Sequence, residues 1–448
     1  MEKRIAVIGA GPAGQFAVEE LVLRGVDPMT ITVFDQGPRL NQRGCPTQLS
    51  SCTCPVCSVL EGEGGAGGVS DGKMTYSTRR GTQGLRVFSD AEYAEVIERI
   101  RGRMEEIEAD LGLRSHREDR DEIVQNWRGT GLAFEAYPLV HYGSDGIQRI
   151  VREQTRDMEA SGITYRFRTR VIAISRVASG YSLLLPNGWE TFHVVIVATG
   201  LAGTGWSEQT LRVLGAELSP GEAGFGLRVE APAEALDPAF DAFYDFKLTS
   251  SGSPWVTRSF CCNRRGYVTN ENHRSLGFTN VNGHSLLGTQ SQFSNFAVIT
   301  RVPVEHPGDD PSAYVRALAR LINDVARGTA VQSLEGFLAI RKGVGEPKGT
   351  NPKATPTDLR GILPVVPWFN IASFVQRVCT ALPGLAEGGM IYGPEVKYYG
   401  YRVGVTDAWE VKGLPGLFVI GNASGFLDSH VACAASGVIA ARAIAQTL

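Results

Sequence analysis

Ile5-Ala-Val-Ile-Gly-Ala-Gly-Pro-Ala-Gly14 opens the chain, and Ile31-Thr-Val-Phe-Asp35 closes the unit that it begins. Ile5–Ile8 is a short apolar run that reads as a buried strand. Gln15 to Arg24 reads as a helix, and Ile31–Phe34 as a second, β-branched strand. Between the first strand and the helix lie Gly9, Gly11 and Gly14, with Pro12 and Ala13 among them. This is a dinucleotide fingerprint in its strand–turn–helix context. Gly9 permits the tight turn, Gly11 lets backbone approach a pyrophosphate at the helix N-terminus, and Gly14 lets the helix lie close to the sheet. Asp35, 21 residues beyond Gly14, can accept bonds from ribose hydroxyls. Read alone, this unit leaves open which dinucleotide is bound.

The 448 residues exceed what one small core needs, and two or three subdomains are expected. With 43% hydrophobic and 20% charged residues and a net charge of -3, the chain has the balance of a soluble globular protein. It has no basic run with interleaved aromatics, so nucleic acid is not an expected partner. No apolar run is long enough to cross a bilayer, and the first residues read as a strand rather than a signal peptide. A cytoplasmic location without membrane association is the expectation. Four of the eight cysteines, Cys45, Cys52, Cys54 and Cys57, crowd one segment. In that compartment such density argues for redox chemistry, metal or pocket-lining thiols rather than structural disulfides.

Outward from Asp35, residues 36–75 form a long Cys- and Gly-rich loop without helical or alternating period, and loops of this length are commonly functional. Ser89-Asp-Ala-Glu92 is a capping box for a helix whose stripe is Ile97, Ile100, Met104, Ile107 and Leu111. Its other face is charged and reads as solvated. A helix over Ile147–Glu159 precedes a β-meander: Thr164–Val177 alternates, Tyr181–Leu185 returns, and Asn187-Gly188 signals a hairpin. Val194–Val197 is a buried strand that ends in Ala198-Thr199-Gly200. Residues 220–400 mix short strand-like pieces with a helix near Pro311–Arg327. Leu417–Ile420 is a last buried strand, followed by Gly421-Asn422 and a small-residue helix over Ser429–Ala445.

The order of these pieces resembles the glutathione-reductase-like FAD fold, in which the FAD domain is assembled from separated segments. The expected fold class is therefore α/β: a split Rossmann-like FAD-binding domain, with a parallel sheet and β-meander, plus a mixed α+β substrate domain. Its expected bounds are 1–88, 135–205 and 401–448 for the FAD-binding domain, 89–134 for a helical insertion and 206–400 for the substrate domain. Arg43-Gly-Cys-Pro46, Gly64–Lys73, Gly226-Leu-Arg-Val-Glu230, Ser259-Phe-Cys-Cys262, Asn282-Gly-His-Ser285 and Ala434–Ala441 narrow the resemblance. They are similar to the FAD-dependent dehydrogenase family of the GR2-type FAD/NAD(P)-binding superfamily. The chain departs from that pattern at Cys261–Gly266 and at Asn422, which stands where the family carries aspartate.

The resemblance implies FAD as cofactor. Beyond the fingerprint residues it implies contacts from Gln36, Arg43, Ala66, Gly67, Val171, Ala198, Thr199, Gly200, Gly421, Asn422, His430 and Val431. It also implies that the last helix aims its N-terminus at the flavin N1/C2 carbonyl, where reduced flavin carries negative charge. His430 would then serve as acid, base or donor. The C-x2-C pair Cys54 and Cys57 is a second catalytic candidate. The full C-x6-C-x-C-x2-C spacing fits no common metal template, so no metal is assigned. His141 reads as structural, and Arg228 and His284 as weaker candidates. No second strand-bound GxGxxG is present, which argues against a dedicated nicotinamide domain. Pro367-Trp368-Phe369 does not match the flavin-halogenase signature, and Ala-Thr-Gly replaces the Asp-Gly motif of aromatic hydroxylases.

The expected function is hydride transfer between a small organic substrate and flavin N5 by an FAD-dependent oxidoreductase. The electron partner is open, diffusible nicotinamide and O2 included. A monooxygenase or oxidase is one alternative. A cysteine-based redox or metal-bearing electron-transfer flavoprotein is another.

Overall fold

The computed structural model describes residues 3–44, 54, 56–82, 90–241, 243–250, 255–273, 276–286, 289–303, 310–339, 343–345, 348–398 and 400–448. Strand β1 (Ile5–Ile8), helix α1 (Pro12–Leu23) and strand β2 (Ile31–Phe34) form the βαβ unit. Their sheet is parallel throughout. Its order is Leu417–Val419, Val194–Val197, β1, β2 and Thr164–Arg166. All four residues of β1 and of Val194–Val197 are buried, as strands covered on both faces must be. The sheet is thus a split Rossmann-like layer, drawn from four regions of the chain.

One strand departs from the sequence reading. Thr164–Arg166 does not belong to the meander but pairs with β2 as the parallel sheet's edge. The meander itself is Ala173–Val177, Gly180–Leu185 and Gly188–Phe192. Arg168, with φ of 52°, stands between the two pieces and ends the alternation that had suggested one strand.

Two helices clamp one face of the parallel sheet. Helix α1 begins with proline at its first turn and has no side-chain cap. The C-terminal helix, His430–Thr447, starts where Ser429 accepts a hydrogen bond from the Ala432 N–H at 3.1 Å. The helices touch backbone to side: a Cβ on Gly437 would overlap the Ala13 carbonyl oxygen. Segment 89–134 is divided between layers. Helix α2 (Asp90–Asp110) places Tyr93, Val96, Ile97, Ile100, Met104 and Ile107 in the same core as β1 and α1. Its charged face is partly engaged, since Arg103 reaches buried Glu19 of α1 at 2.9 Å. Residues 122–124 and 132–136 instead join the second layer.

That second layer is a nine-stranded, largely antiparallel sheet running from Thr355–Pro356 at one edge to Glu122–Val124 at the other. Its longest strands, Ala223–Pro232 and Phe293–Val302, pair over ten residues. The sequence reading broke this region into short pieces because 223–232 is buried on nearly every residue and shows no alternation. Helices Pro311–Ala326 and Val365–Ala381 cover it. A hairpin, Tyr267–His273 with Phe278–His284, stands apart from the sheet.

Candidate functional site

A cavity of about 300 Å³ runs from the β1–α1 turn to the start of the C-terminal helix. At its outer end the chain has little conformational choice. Gly9 has φ of 114°, and a Cβ there would overlap the Ala198 carbonyl oxygen. A Cβ on Gly14 would overlap the Gly9 carbonyl oxygen. Gly9, Gly11, Pro12 and Ala13 line the cavity; Gly14 lies behind them as a packing residue. The uncapped N-terminus of α1 faces this wall, an arrangement that favours an anion. Asp35 lines the wall too. It accepts from the N–H of Ala10 at 2.9 Å and of Gly37 at 2.8 Å, which fix its carboxylate while lone pairs remain. Gln36 lies beside it. Glu61 and Arg170, two lining residues that the sequence reading missed, complete this end. Burial, and then the nearby Asp35 charge, push the Glu61 carboxyl up to about 7.

The middle of the cavity is walled by the Gly-rich loop, with Ala66 and Gly67, and by Val171, Ala198, Thr199 and Gly200. Arg43 does not line the cavity. It donates to the carbonyls of Ser58, Val59, Glu63 and Gly65 at 2.6–2.9 Å, so it shapes the loop from behind. Its guanidinium is pulled down to about 10, burial being the main cause.

At the inner end, Asn422 and His430 line the wall, joined by Asp428, Ser429 and Cys433. Gly421 is one residue removed. Its φ is 63° and its N–H bonds Ser436 Oγ at 2.8 Å. Val431 points into the core. Asn422 Nδ2 donates to the Leu427 carbonyl at 2.8 Å. Burial holds the His430 imidazole below its ordinary pKa, so it is neutral at pH 7. Facing this end are Glu271, His273 and Asn282 from the hairpin and Lys397 from strand Met390–Tyr398. None of these four was read as a site residue. Asn282 lay inside a motif quoted for the family. Glu271 and His273, two residues apart, had the spacing of one strand face and nothing more.

Behind the hairpin is a buried ion pair. Arg228, 0% exposed, donates to both carboxylate oxygens of Glu395 at 2.8 and 2.6 Å. It also donates to Asn295 Oδ1 at 2.8 Å and Asn282 Oδ1 at 3.3 Å. Asn282 in turn donates to Glu271 Oε1 at 2.6 Å. Arg228 therefore sits outside the cavity and orients groups on its wall. His141 is buried and bonds Tyr244 through Nε2 at 3.1 Å, away from the cavity.

Of the cysteine loop, Cys45 and Cys52 lie outside the described residues. Neither Cys54 nor Cys57 lines the cavity, and Cys57 is a free thiol. Cys57 is buried, and burial raises its pKa, which disfavours the thiolate a redox thiol needs. Among the described residues no group of three or more His, Cys, Asp or Glu is placed to hold a metal, and no helix is long and apolar enough to cross a membrane.

No protein-family model matches the chain, and no curated protein sequence matches it. Solved structures are similar to it at the level of the chain trace. CtdE in complex with FAD aligns over 100% of this chain and 85% of its own, at 11% identity and a TM-score of 0.42. Glycine oxidase from Geobacillus kaustophilus covers 98% and 93%, at 12% identity and a TM-score of 0.42. A salicylate hydroxylase substrate complex covers 100% and 79%, at 12% identity and a TM-score of 0.44. Similarity of this degree carries nothing about ligand or reaction to this chain.

Proposed function

We propose that the chain is an FAD-dependent oxidoreductase acting on a small organic substrate. The observation that carries this reading is the single cavity that joins a dinucleotide-type turn to a second, chemically equipped end. The residues present fit the cofactor. Thr199 Oγ1 and Asn422 Oδ1 are buried on the cavity wall without a hydrogen-bond partner among the described residues, as suits a ligand rich in phosphate and hydroxyl groups. The turn Gly9–Gly14 and the α1 N-terminus would hold the pyrophosphate, and Asp35 the adenosine ribose. Asn422 would meet the ribityl chain, and the start of the C-terminal helix the isoalloxazine. Bound FAD supplies the hydride acceptor or donor at N5. The protein's own part is to align a substrate carbon with that position and to manage the accompanying proton, for which neutral His430 lies at the inner end.

Purified protein reconstituted with FAD should be yellow and retain about one flavin per chain through gel filtration. FMN and NAD should be lost. A preparation that stays colourless after FAD reconstitution overturns the reading. Anaerobic reduction by candidate substrates, followed by rapid mixing with O2, then sorts the reaction. Slow reoxidation without oxygenated product marks a dehydrogenase or reductase. Coupled formation of hydroxylated product marks an oxygenase, and peroxide an oxidase.

A further inference from the structure

Lys397 carries a positive charge into the inner end of the cavity without an ion-pair partner. Among the described residues no carboxylate oxygen lies within 4.0 Å of its Nζ. The Phe260 ring lies near it, 5.6 Å from Nζ to the centroid. The acids around it are already engaged. Glu395, two residues back on the same strand face, gives both oxygens to Arg228. Glu271 accepts from Asn282 at 2.6 Å and lies 3.6 Å from His273 Nε2. Burial opposes its charge, but Cys261 first and then Asp428, Glu395 and Glu271 raise its pKa, so the ammonium stays charged, and among the described residues no carboxylate pairs with it. A cation held at a cavity wall with its donors unspent is costly unless a ligand anion completes it.

A further polar group, His273, faces the same space. His273 is 3% exposed, and neither ring nitrogen has a hydrogen-bond partner within 3.5 Å among the described residues. Its ring stacks on Phe278 at 5.2 Å, which fixes its plane. The inner end therefore presents a cation without an ion-pair partner, an imidazole held by Phe278 and the start of a helix around one volume, with the Glu271 and Asp428 carboxylates on the same wall.

We propose that this end of the cavity binds the carboxylate of an organic acid substrate, with Lys397 as its anchor. The inference rests on the flavin reading above and names the substrate class for that same cavity. Charge, rather than size, would then select what enters. A neutral molecule of the same shape would leave Lys397 uncompensated, and a cation would be repelled by it.

The test uses the flavin-loaded protein and the visible flavin band as reporter. Benzoate and acetate are the probes, and benzyl alcohol is the neutral control. The expected result is a saturable, carboxylate-specific change of the band in the wild type. In Lys397→Met that response should weaken at least about tenfold, with flavin content unchanged. Lys397→Gln is the second variant, and Lys397→Arg should restore most of the response. An equal response in Lys397→Met, or no carboxylate-specific response in flavin-loaded wild type, overturns the proposal. Loss of flavin from both the Met and Gln variants also overturns it, because the lysine would then belong to the cofactor. Wild-type protein that binds no flavin at all refutes the cofactor reading instead, and carboxylate binding to that protein, read by calorimetry, then decides the anchor separately.

Discussion

Glu61 illustrates how much one side chain can report. Its carboxyl titrates near 7 in the folded protein against an ordinary 4.5, because burial and Asp35 disfavour its charge. Between those values the folded chain keeps a proton that the unfolded chain has lost. Its contribution to stability therefore falls as pH rises from about 4.5 to about 7, and levels off above that. Glu61→Gln should match the wild type in urea midpoint below pH 4.5 and exceed it at pH 8. Equal midpoints across that range would contradict the assigned environment. Gly283 makes a steric case. A Cβ there would overlap Asn263 Oδ1 and Arg228 Nη1 and would lie 2.6 Å from Asn295 Oδ1. Gly283→Ala should cost about 1–3 kcal/mol through overpacking, read as a lowered denaturant midpoint. In the sequence Gly283 is legible only as part of the Asn282–Ser285 motif. That it clears space for a buried guanidinium needed three other strands to be in place.

At the scale of elements, the contact between α1 and the C-terminal helix is the joint on which the outer and inner ends of the cavity depend. Gly437 allows it, and the run Ala434–Ala441 supplies small side chains along the same helix. Gly437→Val should push α1 outward at Ala13, destabilise the protein by about 1–3 kcal/mol and weaken flavin retention at the same time. Dialysis loss of flavin and thermal melting, measured together, check both halves. The helices themselves were readable from sequence, since proline at the first turn, a serine cap and periodic apolar residues are local signals. The partner of α2 was not. Its stripe announced a buried face, but nothing local said that the face belongs to the core of β1 and α1 rather than to a separate insertion. Thr164–Arg166 failed for a similar reason: alternation reports a half-buried strand, not which sheet it joins.

For the whole molecule, the readable part was the parallel-sheet layer, whose first turn is dictated by local backbone demands at Gly9 and Gly14. The side of the cavity formed by the hairpin and the nine-stranded sheet was mostly unreadable. Glu271, His273 and Lys397 are scattered over 127 positions and meet only through sheet and hairpin pairing. Arg228 draws that pairing together, because its partners lie on the strands carrying Glu395, Asn295, Asn263 and Asn282. Arg228→Met strands a buried carboxylate and should cost about 3–5 kcal/mol, with much of the loss recovered in the double variant Arg228→Met, Glu395→Met. The parallel sheet has a further consequence, for synthesis. Its strand order sets 194–197 and then 417–419 on one side of residues 5–8 and 31–34. A nascent chain leaving the ribosome can close the first βαβ unit early. It then waits for almost four hundred further residues before the outermost strand can dock beside Val194–Val197 and the last helix can cover α1. Such long-range closure is slow and leaves apolar surface open in the meantime. Chains halted before residue 417 should therefore be the species that chaperones hold.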